Sequence, residues 1–294
     1  MACITANGLN LEYESIGDPA DTSLLLIMGF NMQLTAWDLE FCKLLADSGL
    51  HVIRFDNRDI GLSDRLTHLG QPAAAPIALR RLCALPAVSP YSLLDMAGDA
   101  IGLLDALQIN RAHVVGASMG GMIGQLMAIH FPQHVASLCS MMATTGDCLQ
   151  LWPKPRMRRA LSPPPGPGIE SLIQYWVRFW QAAASPDNIP DPGLIASRTR
   201  EAYERSQDCS GRQRQLAAIL AAPSRNRLLR SIRAPTQIIH GKDDPLIRVR
   251  AAWKLAGLIP GARISLIEGM GHDLPPHLFT KIAGLILKNA ERGV

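Results

Sequence analysis

Apolar runs alternate with amphipathic segments along most of the chain. Residues 24–28 and 51–55 form short, largely apolar runs, which are typical of strands buried on both faces of a sheet. Between them, residues 35–48 carry apolar side chains at helical spacing, and Gly49 stands where a helix is expected to end. The order strand, helix, strand predicts a mostly parallel sheet covered by helices on both faces.

The alternation continues through the rest of the chain and predicts an α/β fold. Residues 9–15 alternate between apolar and polar positions in the manner of an edge strand, and residues 93–107 predict an amphipathic helix. Further strands are predicted at residues 113–115, 135–142, 236–240 and 263–267. Ligands of such sheets bind at the carboxyl ends of the strands. Four residues fall at those ends: Gly29, Ser118, Asp244 and His272.

Residues 144–223 interrupt this alternation. They contain the proline-rich segment 162–168, which we interpret as a stiff connector, and helical patterns at residues 169–183, 195–207 and 213–221. We therefore expect a helical cap over residues 144–223, inserted between two parts of the sheet domain, residues 1–143 and 224–294.

The segment around Ser118 predicts a nucleophile elbow. Gly116 and Gly120 flank Ser118 two residues before and two residues after it, between an apolar run and a small-residue stretch compatible with a helix. Glycine at both positions leaves room for a close approach of strand and helix, which a larger side chain would block. We therefore predict that Ser118 is a nucleophile.

A serine hydroxyl needs a base to take its proton and a carboxylate to orient that base. His272 lies in a glycine-containing loop after the last predicted strand, whereas the other histidines lie in or near predicted strands or helices, or at exposed positions. We predict that His272 is the base and Asp244 the carboxylate. Asp243 is adjacent, and spacing alone does not exclude it. Two backbone N–H groups should stabilise a tetrahedral intermediate, and we assign them to Phe30 and Met119.

Four segments carry a family resemblance. Residues 24–29, 51–63, 112–120 and 269–272 resemble the α/β-hydrolase superfamily, and within it the esterases similar to aclacinomycin methylesterase. The resemblance covers most of the sheet domain and implies an eight-stranded sheet. It also implies a triad and two oxyanion donors at the residues named above. Met28-Gly29 stands where many relatives carry His-Gly, and the cap shows no motif of its own.

The function implied is hydrolysis of carboxylic esters through an acyl-enzyme intermediate. Lactone or thioester hydrolysis, perhydrolysis and C–C bond hydrolysis remain alternatives, as does non-catalytic binding of a small molecule, against which the complete serine, aspartate and histidine set argues. A serine at the elbow excludes the carboxylate mechanism of dehalogenases and epoxide hydrolases. We expect the substrate pocket to include Gly29, Trp176, Trp180 and Met270, with most of the cap aromatic residues packing against the core.

Composition and charge exclude several other functions. The net charge is +4, but the basic residues are dispersed, so we expect no nucleic-acid partner. Lys154, Arg156, Arg158 and Arg159 are interpreted as a solvated edge of the cap. No metal-binding or phosphate-binding motif is present, so we expect no cofactor. The expected binding partner is a small-molecule ester substrate.

The expected location is the cytoplasm. The six cysteines lie far apart, which indicates reduced thiols, and no apolar stretch is long enough to suggest a membrane partner. The sequence leaves open whether the protein forms a homo-oligomer.

Overall fold

The computed structural model describes residues 1–164 and 166–293, so Pro165 of the proline-rich segment lies outside the described residues. Within these ranges eight strands form one sheet in the order β1-β2-β4-β3-β5-β6-β7-β8. β2 pairs antiparallel with both of its neighbours, and the remaining pairs are parallel. The strands are β1 (Ala2–Ala6), β2 (Leu9–Ile16), β3 (Thr22–Ile27), β4 (Leu50–Phe55), β5 (Ala112–Ala117), β6 (Val135–Met141), β7 (Thr236–Gly241) and β8 (Arg263–Ile267).

Helices flank the sheet, and four of them lie between β6 and β7 as a helical insertion. These four are α5 (Pro155–Ala160), α6 (Ile169–Ala183), α7 (Pro192–Arg205) and α8 (Arg212–Ala221). The others are α1 (Leu39–Ala46), α2 (Ala74–Leu82), α3 (Leu93–Ala106), α4 (Met119–His130), α9 (Arg250–Leu258) and α10 (Phe279–Ala290). The predicted α/β fold is confirmed. The boundaries of the expected cap, at residues 144 and 223, remain a prediction.

Strand β1 was not predicted from the sequence, and its presence shows that the expectation of an edge strand at residues 9–15 was wrong. β1 lies outside β2 and pairs with it antiparallel, so residues 9–15 form a strand that is not at the edge of the sheet. β1 is short and most of its side chains are not buried, which removes the apolar signal that marks the other strands. The helices α2, α5, α9 and α10 were likewise not predicted.

The core lies on both faces of the sheet because successive side chains of each strand point to opposite faces. In β3, Leu25 and Ile27 pack against the face covered by α3, α4 and α9. Leu24 and Leu26 pack against the face covered by α1 and α10. All four side chains are fully buried, which is worth about 1.5–3 kcal/mol each. Burial on both faces explains the continuous apolar run.

Strand pairing fixes which loops meet at the carboxyl edge of the sheet. β3 and β5 pair in parallel with Ile27 opposite Gly116, so the loop after β3 lies beside the turn after β5. β7 and β8 pair in parallel with Gly241 opposite Ile267, so the loops that follow these two strands are also neighbours. The described helices include none that is long and apolar enough to cross a bilayer.

The turn from β5 into α4 is packed more closely than any side chain would allow. A Cβ atom on Gly116 would lie 2.1 Å from the carbonyl oxygen of Gly120. A Cβ atom on Gly120 would lie 2.0 Å from the carbonyl oxygen of Ile27. Backbone atoms on both sides leave no flexible group that could move aside. The close strand-helix approach predicted from the two glycines is therefore present.

Alanine substitutions at two helical glycines test this packing. Gly120→Ala should lower the free energy of unfolding by about 2–3 kcal/mol or more, because the added methyl group overlaps the end of β3. Gly284 in α10 has open space around its Cβ position, so Gly284→Ala should raise stability by about 0.5–1 kcal/mol. Urea unfolding of both variants gives the comparison. Equal effects of the two substitutions would contradict the proposed packing.

Candidate active site

Ser118 occupies the strained turn between β5 and α4. Its backbone has φ 56° and ψ −115°, outside the regions that L-residues ordinarily adopt. The Ser118 N–H donates to the carbonyl oxygen of Met141, 2.8 Å away, which ties the turn to the end of β6. The turn therefore projects the hydroxyl group from the carboxyl edge of the sheet.

The structure brings Ser118, His272 and Asp244 together from three separate loops. The His272 Nε2 atom lies 3.1 Å from Ser118 Oγ. On the other side of the ring, His272 Nδ1 lies 2.7 Å from Asp244 Oδ2. The Asp244 side chain is fully buried, and the His272 side chain is 8% exposed. The three groups form one continuous hydrogen-bonded row with the hydroxyl group at its end.

The surroundings of Asp244 orient its carboxylate towards His272. The other oxygen, Oδ1, accepts hydrogen bonds from the N–H groups of Leu246 and Ile247, each at 2.8 Å. His240 Nε2 donates to the carbonyl oxygen of Ile247 at 2.7 Å and lies 3.5 Å from Asp244 Oδ2. Burial lowers the pKa of His240, so this second imidazole is neutral at pH 7.

Asp243 is placed differently from its neighbour. Its Oδ2 atom accepts a hydrogen bond of 3.1 Å from the N–H of Gly269, at the start of the loop that carries His272. Asp243 therefore braces the loop, whereas Asp244 contacts the imidazole.

The His272 loop is clamped to the end of α6. His272 N–H donates to the carbonyl oxygen of Ala183 at 2.7 Å. The Ser185 hydroxyl donates to Asp273 Oδ1 at 2.6 Å and accepts from the N–H of Gly271 at 3.0 Å. Burial raises the pKa of Asp273, and the hydrogen bonds from Ser185 act in the opposite direction. The position of His272 therefore depends on the inserted helices as well as on the sheet.

Two backbone N–H groups near Ser118 have no acceptor within the described ranges, namely those of Phe30 and Met119. Gly29 packs against the turn, since a Cβ atom there would lie 3.3 Å from the Cβ of Ser118. The next amide, Asn31 N–H, donates to Gln215 Oε1 at 2.9 Å, which joins this loop to α8. The assigned donors thus lie in the loop beside the serine and at the first residue of α4.

Buried ion pairs hold the inserted helices on the sheet domain. Arg214 of α8 pairs with Asp59 at 2.7 Å, and both side chains are completely buried. Burial alone would raise the pKa of Asp59, but hydrogen bonds from Arg214 and Leu66 lower it below its usual value. Arg205 of α7 pairs with Asp56 at 2.6 Å. These contacts give the segment around Asp56 a structural role.

A cavity of about 470 Å³ opens onto the serine. Its lining includes the predicted pocket residues Gly29, Trp176 and Trp180, together with Ser118 and His272. The expectation for Met270 was wrong. Its side chain is fully buried in the core on the face of the sheet that α1 and α10 cover, and it does not line this cavity. The reason is that the Met270 carbonyl, rather than its side chain, faces the active-site loops, where it accepts from Asp243 N–H at 3.1 Å.

Sequence reasoning missed much of the cavity wall. Further methionines line it, at positions 28, 32, 122, 141 and 142. Methionine side chains adapt to irregular apolar spaces, so their concentration after β3 and around α4 and β6 was an available signal. The aromatic side chains of α6 line the cavity as well as packing on one another, with the Trp176 and Trp180 rings stacked at 6.3 Å between centroids.

The arrangement is suited to activating a hydroxyl group next to an apolar ligand. An imidazole in contact with Ser118 Oγ can accept its proton, and the buried Asp244 carboxylate favours the resulting imidazolium. N–H groups at a turn can stabilise negative charge that develops on a carbonyl oxygen of the ligand.

Comparison with protein-family models identifies residues 22–275 as matching the family described as the alpha/beta hydrolase fold. A rhodomycin D methylesterase of Streptomyces sp. (strain C5) is 32% identical, over 96% of this chain and 95% of the relative. A rhodomycin D methylesterase of Streptomyces peucetius is 31% identical, with the same coverage.

A solved structure supports the fold independently. The enol-lactonase from Burkholderia xenovorans LB400 superposes with a TM-score of 0.74 at 20% identity, over 99% of this chain and 100% of that chain. At this level of identity the similarity concerns the arrangement of strands and helices.

Proposed function

The chain belongs to the α/β-hydrolase family, and we propose that it is a serine hydrolase that cleaves carboxylic esters. In this proposal Ser118 is the nucleophile, His272 the general base and Asp244 the carboxylate that orients the base. Phe30 and Met119 supply the two oxyanion N–H groups. The observation that supports the proposal most strongly is the unbroken row from Ser118 Oγ through His272 to Asp244, with contacts of 3.1 Å and 2.7 Å.

The first half of the reaction acylates the enzyme. His272 Nε2 takes the proton of Ser118 as Oγ attacks the ester carbonyl. The N–H groups of Phe30 and Met119 stabilise the resulting oxyanion, and one such donor is worth about 3 kcal/mol. His272 then gives its proton to the leaving alkoxide, which departs as an alcohol and leaves the acyl group on Ser118.

The second half releases the acid. His272 takes a proton from water, which attacks the acyl carbonyl, and the same two N–H groups stabilise the second tetrahedral intermediate. Its collapse returns the proton to Ser118 and frees the carboxylic acid. Asp244 stays ionised throughout and stabilises the positive imidazole in both halves.

Cavity size and relatives together suggest the substrate class. The relatives that are 31–32% identical are named as methylesterases of rhodomycin D. A cavity of about 470 Å³ lies in the size range of sites for drug-sized ligands. We therefore assign methyl esters of bulky, largely apolar acids as the leading substrates, with residues 144–223 as the cap that encloses the acid.

Ester hydrolysis by the wild type and by Ser118→Ala tests the proposal. The wild type should hydrolyse p-nitrophenyl esters and methyl esters of apolar acids. Ser118→Ala should lose about 10⁴–10⁶-fold in kcat, because the acyl-enzyme can no longer form. Product release measured on folded samples of both proteins gives the comparison. Absence of turnover by a folded wild type on every ester would contradict the proposal.

Substitution of the two adjacent aspartates separates their roles. Asp244→Asn should lower kcat by about 10⁴-fold, because the imidazole loses its charged partner and its tautomer. Asp243→Asn keeps an oxygen that can accept from Gly269 N–H, so its effect should be less than about tenfold. Steady-state rates on one ester suffice. A larger loss for Asp243→Asn would overturn the assignment of Asp244.

A further inference from the structure

The cavity opens to solvent between α2 and the segment 148–158. Leu82 and Trp152 both line the cavity, and they are 54% and 50% exposed. Large apolar side chains that are half exposed mark the place where the apolar wall meets water. This opening lies on elements other than those that carry Ser118 and His272.

Two arginines line the cavity at this opening, and we name Arg81 and Arg158 the cationic rim. The Arg158 guanidinium lies 5.3 Å above the Trp152 ring. Arg81 Nη2 contacts the carbonyl oxygen of Gly146 at a long 3.4 Å. Within residues 1–164 and 166–293, neither side chain pairs with a carboxylate. By contrast, Arg205 of α7 and Arg214 of α8 each pair with an aspartate of the sheet domain.

The segments that carry the rim supply no acidic side chain to offset its positive charge. Residues 65–94 and 148–169 contain no aspartate or glutamate. The acids that flank residues 148–169 are engaged, since Asp147 pairs with Lys254 at 2.6 Å and Glu170 with Arg200 at 2.8 Å.

A buried arginine behind the rim has the same sign. Arg225 is 2% exposed and donates to Gln125 Oε1 at 3.1 Å and to the Thr144 carbonyl oxygen at 2.8 Å. Burial lowers the pKa of Arg225 to about 10, so it stays cationic at pH 7. Its guanidinium also lies close to Gly146, the residue whose carbonyl oxygen Arg81 contacts.

The catalytic end of the cavity has the opposite character. Asp273 lines the cavity there, next to His272, and Asp244 lies behind the imidazole. A permanently anionic group on a ligand is therefore disfavoured beside the Asp273 and Asp244 carboxylates and favoured at the opening. The apolar wall between the two ends fits a hydrocarbon body.

We propose that the cationic rim binds an anionic group, a carboxylate or phosphate, at the far end of the ester substrate. The substrate class is then an amphiphilic ester: its carbonyl lies at Ser118, its apolar body fills the cavity, and its anionic group lies between Arg81 and Arg158. Arginine suits this role because its planar fork of donors matches carboxylate and phosphate oxygens. The proposal rests on the proposed esterase function and departs from the solvated role expected for Arg158.

Methyl esters that differ only in their terminal group test the proposal. Three series of matched chain length, from about six to twelve carbons, carry a terminal carboxylate, hydroxyl or ammonium group. Because methanol is the leaving group, the terminal group stays on the acyl part that occupies the cavity. The measured quantity is the ratio of kcat/KM for the carboxylate ester to kcat/KM for the hydroxyl ester.

In the wild type this ratio should rise with chain length to about fivefold, as expected for two exposed charge contacts. The ammonium esters should be the poorest substrates. Salt at about 0.5 M should reduce the preference because it screens exposed charges. In the double variant Arg81→Gln/Arg158→Gln the ratio should fall to about one.

The matched control is Arg156→Gln/Arg159→Gln. It removes the same total charge, here from two exposed arginines of α5 that do not line the cavity, so the ratio should remain as in the wild type. A ratio near one for the wild type at every length, or an equal loss in the control variant, would overturn the proposal. If the wild type hydrolyses the hydroxyl esters but does not prefer the carboxylate esters, the proposed anion site is overturned and the esterase function stands.

A vesicle-sedimentation experiment distinguishes two sources of the anionic group, the substrate itself and a lipid headgroup. The wild type and the rim variant are mixed with phosphatidylglycerol vesicles and with phosphatidylcholine vesicles. We expect no vesicle binding that depends on Arg81 and Arg158. Binding to the anionic vesicles that the rim variant loses, with an unchanged ester ratio, would replace the subsite by a membrane contact.

Discussion

The site depends first on a backbone contact. Gly120 lies so close to Ile27 that the first turn of α4 rests directly on the end of β3, and Gly116 lies equally close to Gly120. This contact sets the distance between the β5–α4 turn and the loop after β3. It thereby holds Ser118 in a positive-φ conformation beside Gly29, near two N–H groups that have no acceptor among the described residues. The strained backbone conformation of Ser118 persists because the packing on both sides of the turn prevents it from relaxing.

The second constraint is the connection between the histidine loop and the inserted helices. The amide of His272 and the side chain of Asp273 are bonded to Ala183 and Ser185, at the end of the helix whose aromatic side chains line the cavity. Arg214 and Gln215 fix another helix of the insertion to Asp59 and to the loop after β3. The inserted helices that line the cavity are therefore hydrogen-bonded to the loops that carry the active-site side chains.

The parts predicted from sequence are those that depend on local patterns. Continuous apolar runs identified the buried strands, and glycine spacing identified the turn at Ser118. The missed parts depend on contacts distant in sequence. Ser185 and Asp273 are 88 residues apart, and Arg81 and Arg158, which are also distant in sequence, line one cavity only because of the fold. Met270 was misplaced because the pattern did not show that its backbone, rather than its side chain, faces the site. β1 was missed because most of its side chains are not buried.

Activation of Ser118 is tested most directly by covalent labelling with diethyl p-nitrophenyl phosphate, followed by intact-mass measurement and peptide mapping. Phosphorylation requires an activated serine but no knowledge of the natural substrate. We expect one diethylphosphoryl group on the wild type, located on Ser118, no such group on Ser118→Ala, and greatly slowed labelling of His272→Ala. A label on a different residue, or none on the folded wild type, would contradict an activated nucleophile at Ser118.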